Sequence, residues 1–477
     1  SGQGAVGEVP QRRLPGDRAR AHVLIIYVGG TVGMRRQDES NPASPLANVG
    51  AGELAEEIQN FGVEERIAWT MLGLSDPEGR EVPPVDSSEV GPTHWLWIAQ
   101  MLERHYSEFD GFVILHGTDT LAYTASALSF LCVNLAKPVV LTGSQLPIFA
   151  LRSDARQNLL HALLVAGGKA VGLPIVPEVT VCFANMLLRG NRARKASTSG
   201  WQGFASPNYP ALGSLGERIR IHTDLIYPLP AADAAFYVGR ALQDQVLDLT
   251  LFPGIQAAQL RALLRQPELK GLVLRAYGAG NAPEDPALLD CLGQAVEDGL
   301  TILVVTQCSE GRVDLGRYAS SRGLLQRQLA SGFDLTPEAA LTKLMWVLAN
   351  EKGSEVRAQL QQDQRGEQSY VRHEVRFEAG GEPREIWELN GRAAGAVSRR
   401  GLEAAMLRLQ VDDGLNLRVE LNQRAILHLP QAQGGSVTDV TDGVRRYMVD
   451  DRPFHLHIRA ERPFRLDLAE LLLTAKS

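Results

Sequence analysis

Apolar residues in the first half of the chain fall into short unbroken runs separated by stretches with helical spacing. Val23-Leu24-Ile25-Ile26-Tyr27-Val28, 111–115, Val139-Val140-Leu141 and Thr180-Val181-Cys182-Phe183 are rich in β-branched residues and too short for helices. Such runs are strands buried on both faces. Between them, Leu121, Ala125, Leu128, Cys132 and Leu135 share one helical face, with Pro138 as the expected stop. Residues 93–106 and 154–164 also read as helices, and Leu54 with Ile58 marks a shorter one. Alternating strand and helix implies right-handed parallel crossovers and an open α/β sheet. The polar stretch 35–52 lacks periodicity and reads as a mobile loop after the first strand.

A Pro- and Ala-rich passage near 228–235 precedes a second α/β series, with strands at 246–251, 271–274 and 301–305. Thr336-Pro337 has the N-cap and N1 chemistry of a helix start, and Leu341, Leu344, Met345 and Leu348 form the stripe that follows. Past Lys352 the pattern changes. Residues 355–368 are polar, and Leu415, Leu417, Val419 and Leu421 then alternate with polar residues. Phe454, Leu456 and Ile458 do the same, as do Phe464, Leu466 and Leu468, the period of half-buried antiparallel strands. The expected architecture is two α/β domains with parallel sheets, 21–228 and 229–354. A linker at 355–368 and a small, mostly antiparallel β domain at 369–477 follow, and residues 1–20 read as a disordered leader or an expression remnant.

Composition narrows the class. A 44% apolar and 22% charged chain of 477 residues is ordinary for a globular protein, and its net charge of −7 with no long basic run argues against a nucleic-acid or anionic-membrane surface. No apolar run approaches the ~20 residues that span a bilayer. Cys132, Cys182, Cys291 and Cys308 are scattered and form no metal-binding spacing, which suits reduced thiols in a cytoplasmic protein. His455 and His457 stand at i and i+2 without a third ligand in evidence and read as surface histidines.

Polar chemistry gathers where strands end. Gly29-Gly30-Thr31 closes the first strand, and His116-Gly117-Thr118-Asp119-Thr120 closes the next. In an open α/β sheet, ligands bind at such carboxyl ends. Asp86-Ser87-Ser88 is a polar turn, and 189–196 is a short basic stretch holding Lys195. Hydroxyls, a carboxylate and a lysine are what amide hydrolysis by a threonine needs. The hydroxyl is inert until a base takes its proton, and the developing oxyanion needs donors, which amides of Gly-rich turns supply.

Tyr27-Val28-Gly29-Gly30-Thr31-Val32-Gly33-Met34 and His116-Gly117-Thr118-Asp119-Thr120 resemble the two signatures of bacterial-type L-asparaginases. Asp86-Ser87-Ser88, 141–147, 189–195, Ala205-Ser206-Pro207-Asn208, 277–283 and 340–344 resemble the type I, cytosolic branch. The resemblance spans 22–367 and leaves out the β domain. It implies Thr31 as primary nucleophile, Lys195 as proton acceptor through Thr118, Asp119 on the substrate ammonium and Ser87 on its α-carboxylate, with Asp86 and Thr118 also among the substrate-binding residues. It further implies conversion of L-asparagine, and weakly L-glutamine, to the acid plus ammonia through an acyl-enzyme. No metal or organic cofactor, nucleic acid or membrane is implied, and a homodimer or homotetramer is.

Two departures stand out. Val28 replaces a common threonine, and no Tyr occurs between Thr31 and Tyr106, where many relatives carry an activating lid tyrosine. Asn41 falls about there, and Tyr318-Ala319 matches the segment that substitutes in some relatives. Arg275, Asn281, Thr306 and Cys308 match an allosteric asparagine site. Two other readings fit the same residues: a non-catalytic asparagine-binding regulator, and an amidase subunit related to tRNA-dependent amidotransferase.

Overall fold

The first apolar run forms the strand Ala21–Tyr27, which pairs in parallel with Gly111–Leu115 on one side and Ile67–Gly73 on the other. The computed structural model describes residues 20–477, so all but the last residue of the expected leader lies outside the described residues. The chain divides into two compact units, one ending at Asp244 and the other Gln245–Ser477.

In the first unit an eight-stranded sheet runs in the order Ile219–Ile221, Gly213–Leu215, Met186–Arg189, Val179–Phe183, Val139–Thr142, Gly111–Leu115, Ala21–Tyr27, Ile67–Gly73. The five strands from Val179–Phe183 to Ile67–Gly73 are parallel, and the rest extend the sheet antiparallel. Ile67–Gly73 escaped the sequence reading because Thr70 splits its apolar run into two short pieces. The helix Leu121–Leu131 is buried on nearly every side and ends well before Pro138. There Asn134 turns left-handed, with a φ of 57°, and Cys132–Val133 pairs with Tyr237–Val238 instead. That ladder holds the passage after 228 in the first unit. The expected mobile loop at 35–52 is folded: Met34–Arg36 and Leu46–Asn48 make a hairpin, and the helix Ala51–Glu57 follows. Val49 donates to the Gly33 carbonyl and closes the hairpin at its base.

The second unit starts with four parallel strands, Val246–Thr250, Gly271–Ala276, Thr301–Thr306 and Ala330–Ser331. Thr336 caps the helix Pro337–Asn350 by accepting from the Ala339 amide. The β-rich segment is two antiparallel four-stranded sheets. Leu417, Val419, Leu456 and Ile458 of one sheet meet Leu407, Leu409, Leu471 and Leu473 of the other. The far face of the second sheet is also covered, since Met406, Val437 and Leu472 share a core with Leu272, Leu274, Leu324 and Leu325. Alternation is therefore lost after Leu468, and the rest of the strand Leu466–Lys476 is buried on both faces up to Ala475.

Residues 355–368, polar enough to read as a linker, are packed into this unit. The helix Ser354–Leu360 opens the stretch. Glu367 closes it, wholly buried, with an oxygen 2.6 Å from Lys343 Nζ. Arg357 pairs with Glu374 at 2.7 Å, while buried Arg408 pairs with buried Glu470. Charges that suggested solvent exposure are satisfied internally.

Candidate active site

Two turns interlock at the carboxyl ends of adjacent parallel strands. Tyr27 faces Leu115 in the register, so Gly29-Gly30-Thr31 and His116-Gly117-Thr118 leave the sheet side by side. Gly30 has a φ of 92°, and a Cβ there would stand 2.3 Å from the Gly117 Cα. A Cβ on Gly117 would meet Ser87 Cβ and Oγ at 2.6 Å, and one on Gly29 would meet the Val85 carbonyl oxygen at 2.2 Å. All three turns therefore touch only because glycine fills the contact points.

Thr31 opens a short 3-10 turn, Thr31–Gly33, and is partly exposed, whereas Thr118 is 7% exposed. Lys195 joins the site from the short strand Arg194–Lys195, which pairs with Phe204–Ala205. Its Nζ donates to Thr118 Oγ1 at 2.8 Å and to Asp119 Oδ1 at 2.6 Å. The Asp119 side chain is 64% exposed, free to face a ligand as well as the lysine. Lysine between a hydroxyl and a carboxylate can take the hydroxyl's proton and be held in place while doing so.

Ser87 is buried, and its carbonyl accepts from Thr120 Oγ1 at 2.6 Å, which ties the Ser87 turn to the Thr118 turn. Asp86 caps its own turn, accepting from the Ser88 amide at 2.9 Å and the Ser88 hydroxyl at 2.7 Å. These bonds hold its carboxyl below the usual range. Sequence reasoning missed the loop's rear support: the Asp154 carboxylate accepts from the Gln145 and Leu146 amides. Its signal is an acid at a helix start, common enough to carry no function by itself.

The other expected residues lie in the second unit. Tyr318 precedes the helix Ala319–Gln326 and is 47% exposed. Thr306 Oγ1 donates to the Gly278 carbonyl at 2.6 Å and accepts from the Cys308 amide at 3.0 Å. Asn281 accepts from Ser320 Oγ at 2.8 Å, while Arg275 pairs with Asp248 at 2.5 Å. Thr306 and the 277–281 turn thus converge after neighbouring strands, and Arg275 is committed to an acid partner. Elsewhere His455 meets Asn390, and His457 lies 3.4 Å from Glu388 and 3.7 Å from Glu420. No group of three or more His, Cys, Asp or Glu fit to hold a metal occurs among the described residues.

Fold and site together bring two threonine-bearing turns side by side at one edge of an open α/β sheet. Residues 22–227 match the family "Asparaginase, N-terminal", and residues 245–360 match "Glutaminase/Asparaginase C-terminal domain". The chain belongs to the asparaginase family. It is 41% identical to L-asparaginase 1 of Escherichia coli K12 over 347 residues, 72% of this chain and 97% of that protein. It is also 41% identical to a 60 kDa lysophospholipase of Mus musculus, over 71% of this chain and 59% of that protein. Among solved structures, L-asparaginase I of Vibrio cholerae aligns with a TM-score of 0.64 and 39% identity over 73% of this chain and 99% of that one.

Proposed function

We propose that this chain hydrolyses L-asparagine to L-aspartate and ammonia. The contact of Lys195 with both Thr118 and Asp119, beside the interlocked Gly30 and Gly117, carries this reading. Thr31 Oγ attacks the carboxamide carbon, and its proton leaves toward the Thr118–Lys195 pair. The pair returns that proton to the amide nitrogen of the tetrahedral adduct, so ammonia departs and leaves an acyl ester on Thr31. Water, activated by the same pair, then releases aspartate and restores the hydroxyl. The exposed carboxylate of Asp119 receives the substrate ammonium, and Ser87 receives its α-carboxylate. Tyr318 serves as the activating phenol that the 35–52 hairpin lacks.

Ammonia release from asparagine by the purified chain tests this directly, with glutamine and a lysophospholipid as alternative substrates. Turnover that survives Thr31→Ala overturns the nucleophile. Asparagine binding without turnover would instead favour a non-catalytic regulator. We further propose a cytoplasmic location, supported by four free thiols, and a homodimer or homotetramer, supported by the resemblance of the signature motifs to type I enzymes. Asparagine activation at Arg275, Asn281, Thr306 and Cys308 belongs to the same proposal, and a rate curve that is hyperbolic at all concentrations counts against it.

A further inference from the structure

Behind the Thr118 turn runs a buried hydrogen-bond chain that the proposed reaction does not use. Trp95 Nε1, on the helix Pro92–His105, lies 2.9 Å from Thr124 Oγ1. Thr124, on the helix Leu121–Leu131, places that oxygen 2.8 Å from His116 Nε2. His116 Nδ1 in turn lies 2.7 Å from the Gly117 carbonyl oxygen. Thr124 and His116 are fully buried, and Trp95 is 4% exposed.

The chemistry of the two ends gives the chain one direction. An indole N–H can only donate, so Thr124 Oγ1 accepts from Trp95. A carbonyl can only accept, so His116 Nδ1 carries a hydrogen. Burial pushes the imidazole down to about 4, against the opposing effect of the Gly117 carbonyl and with help from nearby His94, so the ring is neutral near pH 7. Its second nitrogen is therefore a bare acceptor, and it takes the Thr124 hydroxyl hydrogen. Every polar atom in the chain is satisfied in only this arrangement.

The last acceptor is the carbonyl of the peptide whose nitrogen belongs to Thr118. Hydrogen bonding to a peptide oxygen shifts electron density toward it and makes the same peptide's N–H a stronger donor. Among the described residues, the Thr118 amide has no hydrogen-bond partner of its own. It sits on the turn that meets Gly30, one residue from Thr31. We propose that Trp95, Thr124 and His116 act as positioning residues that orient and polarise the Gly117–Thr118 peptide. Its N–H thereby becomes a fixed donor to the oxyanion that forms during attack. This rests on Thr31 being the nucleophile, but the chain's tautomer can be measured independently of that reading.

The test uses the full chain with His116 labelled at its ring nitrogens. In the parent enzyme, ¹⁵N NMR should show His116 as the Nδ1–H tautomer across pH 5.5–8. Thr124→Val removes the hydroxyl at nearly constant shape. It should release the tautomer preference and lower kcat about tenfold with KM for asparagine within about twofold, a smaller loss than the roughly 10²–10³-fold that follows removal of an oxyanion donor itself. Thr124→Ser, which keeps the hydroxyl, should recover the tautomer and most of the rate, and Trp95→Phe offers a second break should Thr124→Val fail to fold. An Nε2–H tautomer in the parent, or an unchanged kcat in a folded Thr124→Val or Trp95→Phe enzyme, overturns the proposal. Loss of stability alone, with kcat intact, would make the chain merely structural. Turnover surviving Thr31→Ala would remove the nucleophile while leaving the tautomer result to stand.

Discussion

Gly30 and Gly117 touch across two parallel strands with no room for a side chain on either. A Cβ on Gly30 would approach the Gly117 backbone nitrogen and Cα to 2.3 Å. The spacing between the Thr31 and Thr118 turns is thus set by backbone contact, the stiffest kind available to a loop.

Gly30→Ala should be costly on both counts. The φ of 92° disfavours any Cβ by about 1–3 kcal/mol, and the clash forces the turns apart. Chemical denaturation should show at least that loss, and ammonia release should fall far more than stability explains. An Ala variant with parent-like turnover would contradict the interlock.

Lys195→Met keeps the aliphatic stem and removes the nitrogen that spans Thr118 and Asp119. Turnover should fall on the order of 10²–10⁴-fold, as for loss of a positioned base. Asp119→Asn should raise KM as well if its exposed carboxylate receives the substrate ammonium as proposed. Steady-state kinetics on both variants separates proton transfer from binding.

Tyr318→Phe removes one oxygen without loosening its helix, because Ser321 Oγ, and not the phenol, bonds the Tyr318 amide and carbonyl. Circular dichroism should be unchanged while kcat falls about tenfold or more. Retention of full kcat would exclude this tyrosine as the activating group.

Asp363 and Glu367 share a buried site with Lys343. Burial first, and adjacent Glu367 second, push the Asp363 carboxyl up to about 7, while the Gly366 amide and Lys343 pull the other way. Burial would raise Glu367 too, but Lys343 and the Gln364 and Arg365 amides hold it low. An acid with a raised folded pKa keeps its proton where the unfolded chain has lost it. Its contribution to stability is therefore present below the unfolded value and drains away as pH rises from about 4 to 7. Asp363→Asn should remove that loss, so its melting temperature should gain on the parent's between pH 5 and 8. Parallel melting curves across that range would refute the shared site.

Leu472 is 2% exposed and belongs to the core shared with Leu272 and Leu274. Leu472→Ala should cost about 2–5 kcal/mol, the range for a large cavity in a packed core. Removal of 369–477 should be worse, since it strips Met406, Val437 and Leu472 from the neighbouring α/β core. An α/β remainder with unchanged melting would show that the shared core contributes nothing.

Much of this protein was legible in the order of its residues. Unbroken β-branched runs at 23–28, 111–115 and 139–141 became strands because a strand buried on both faces needs no partner to declare itself. The two signatures marked the strand-end turns that the fold sets side by side, and the alternation at 415–421 marked the β-rich segment. Other features depended on distant contacts. Ile67–Gly73 is a strand by virtue of the edge it completes. Residues 355–368 look soluble until Lys343 and Arg357 meet Glu367 and Glu374 in the interior. The hairpin at 34–48 exists through a ladder that polar composition conceals. Local pattern reports which residues avoid water. Which charges neutralise one another, which glycines touch, and which way the proton points on His116 are pairwise relations between residues far apart in the chain, and only the folded structure decides them.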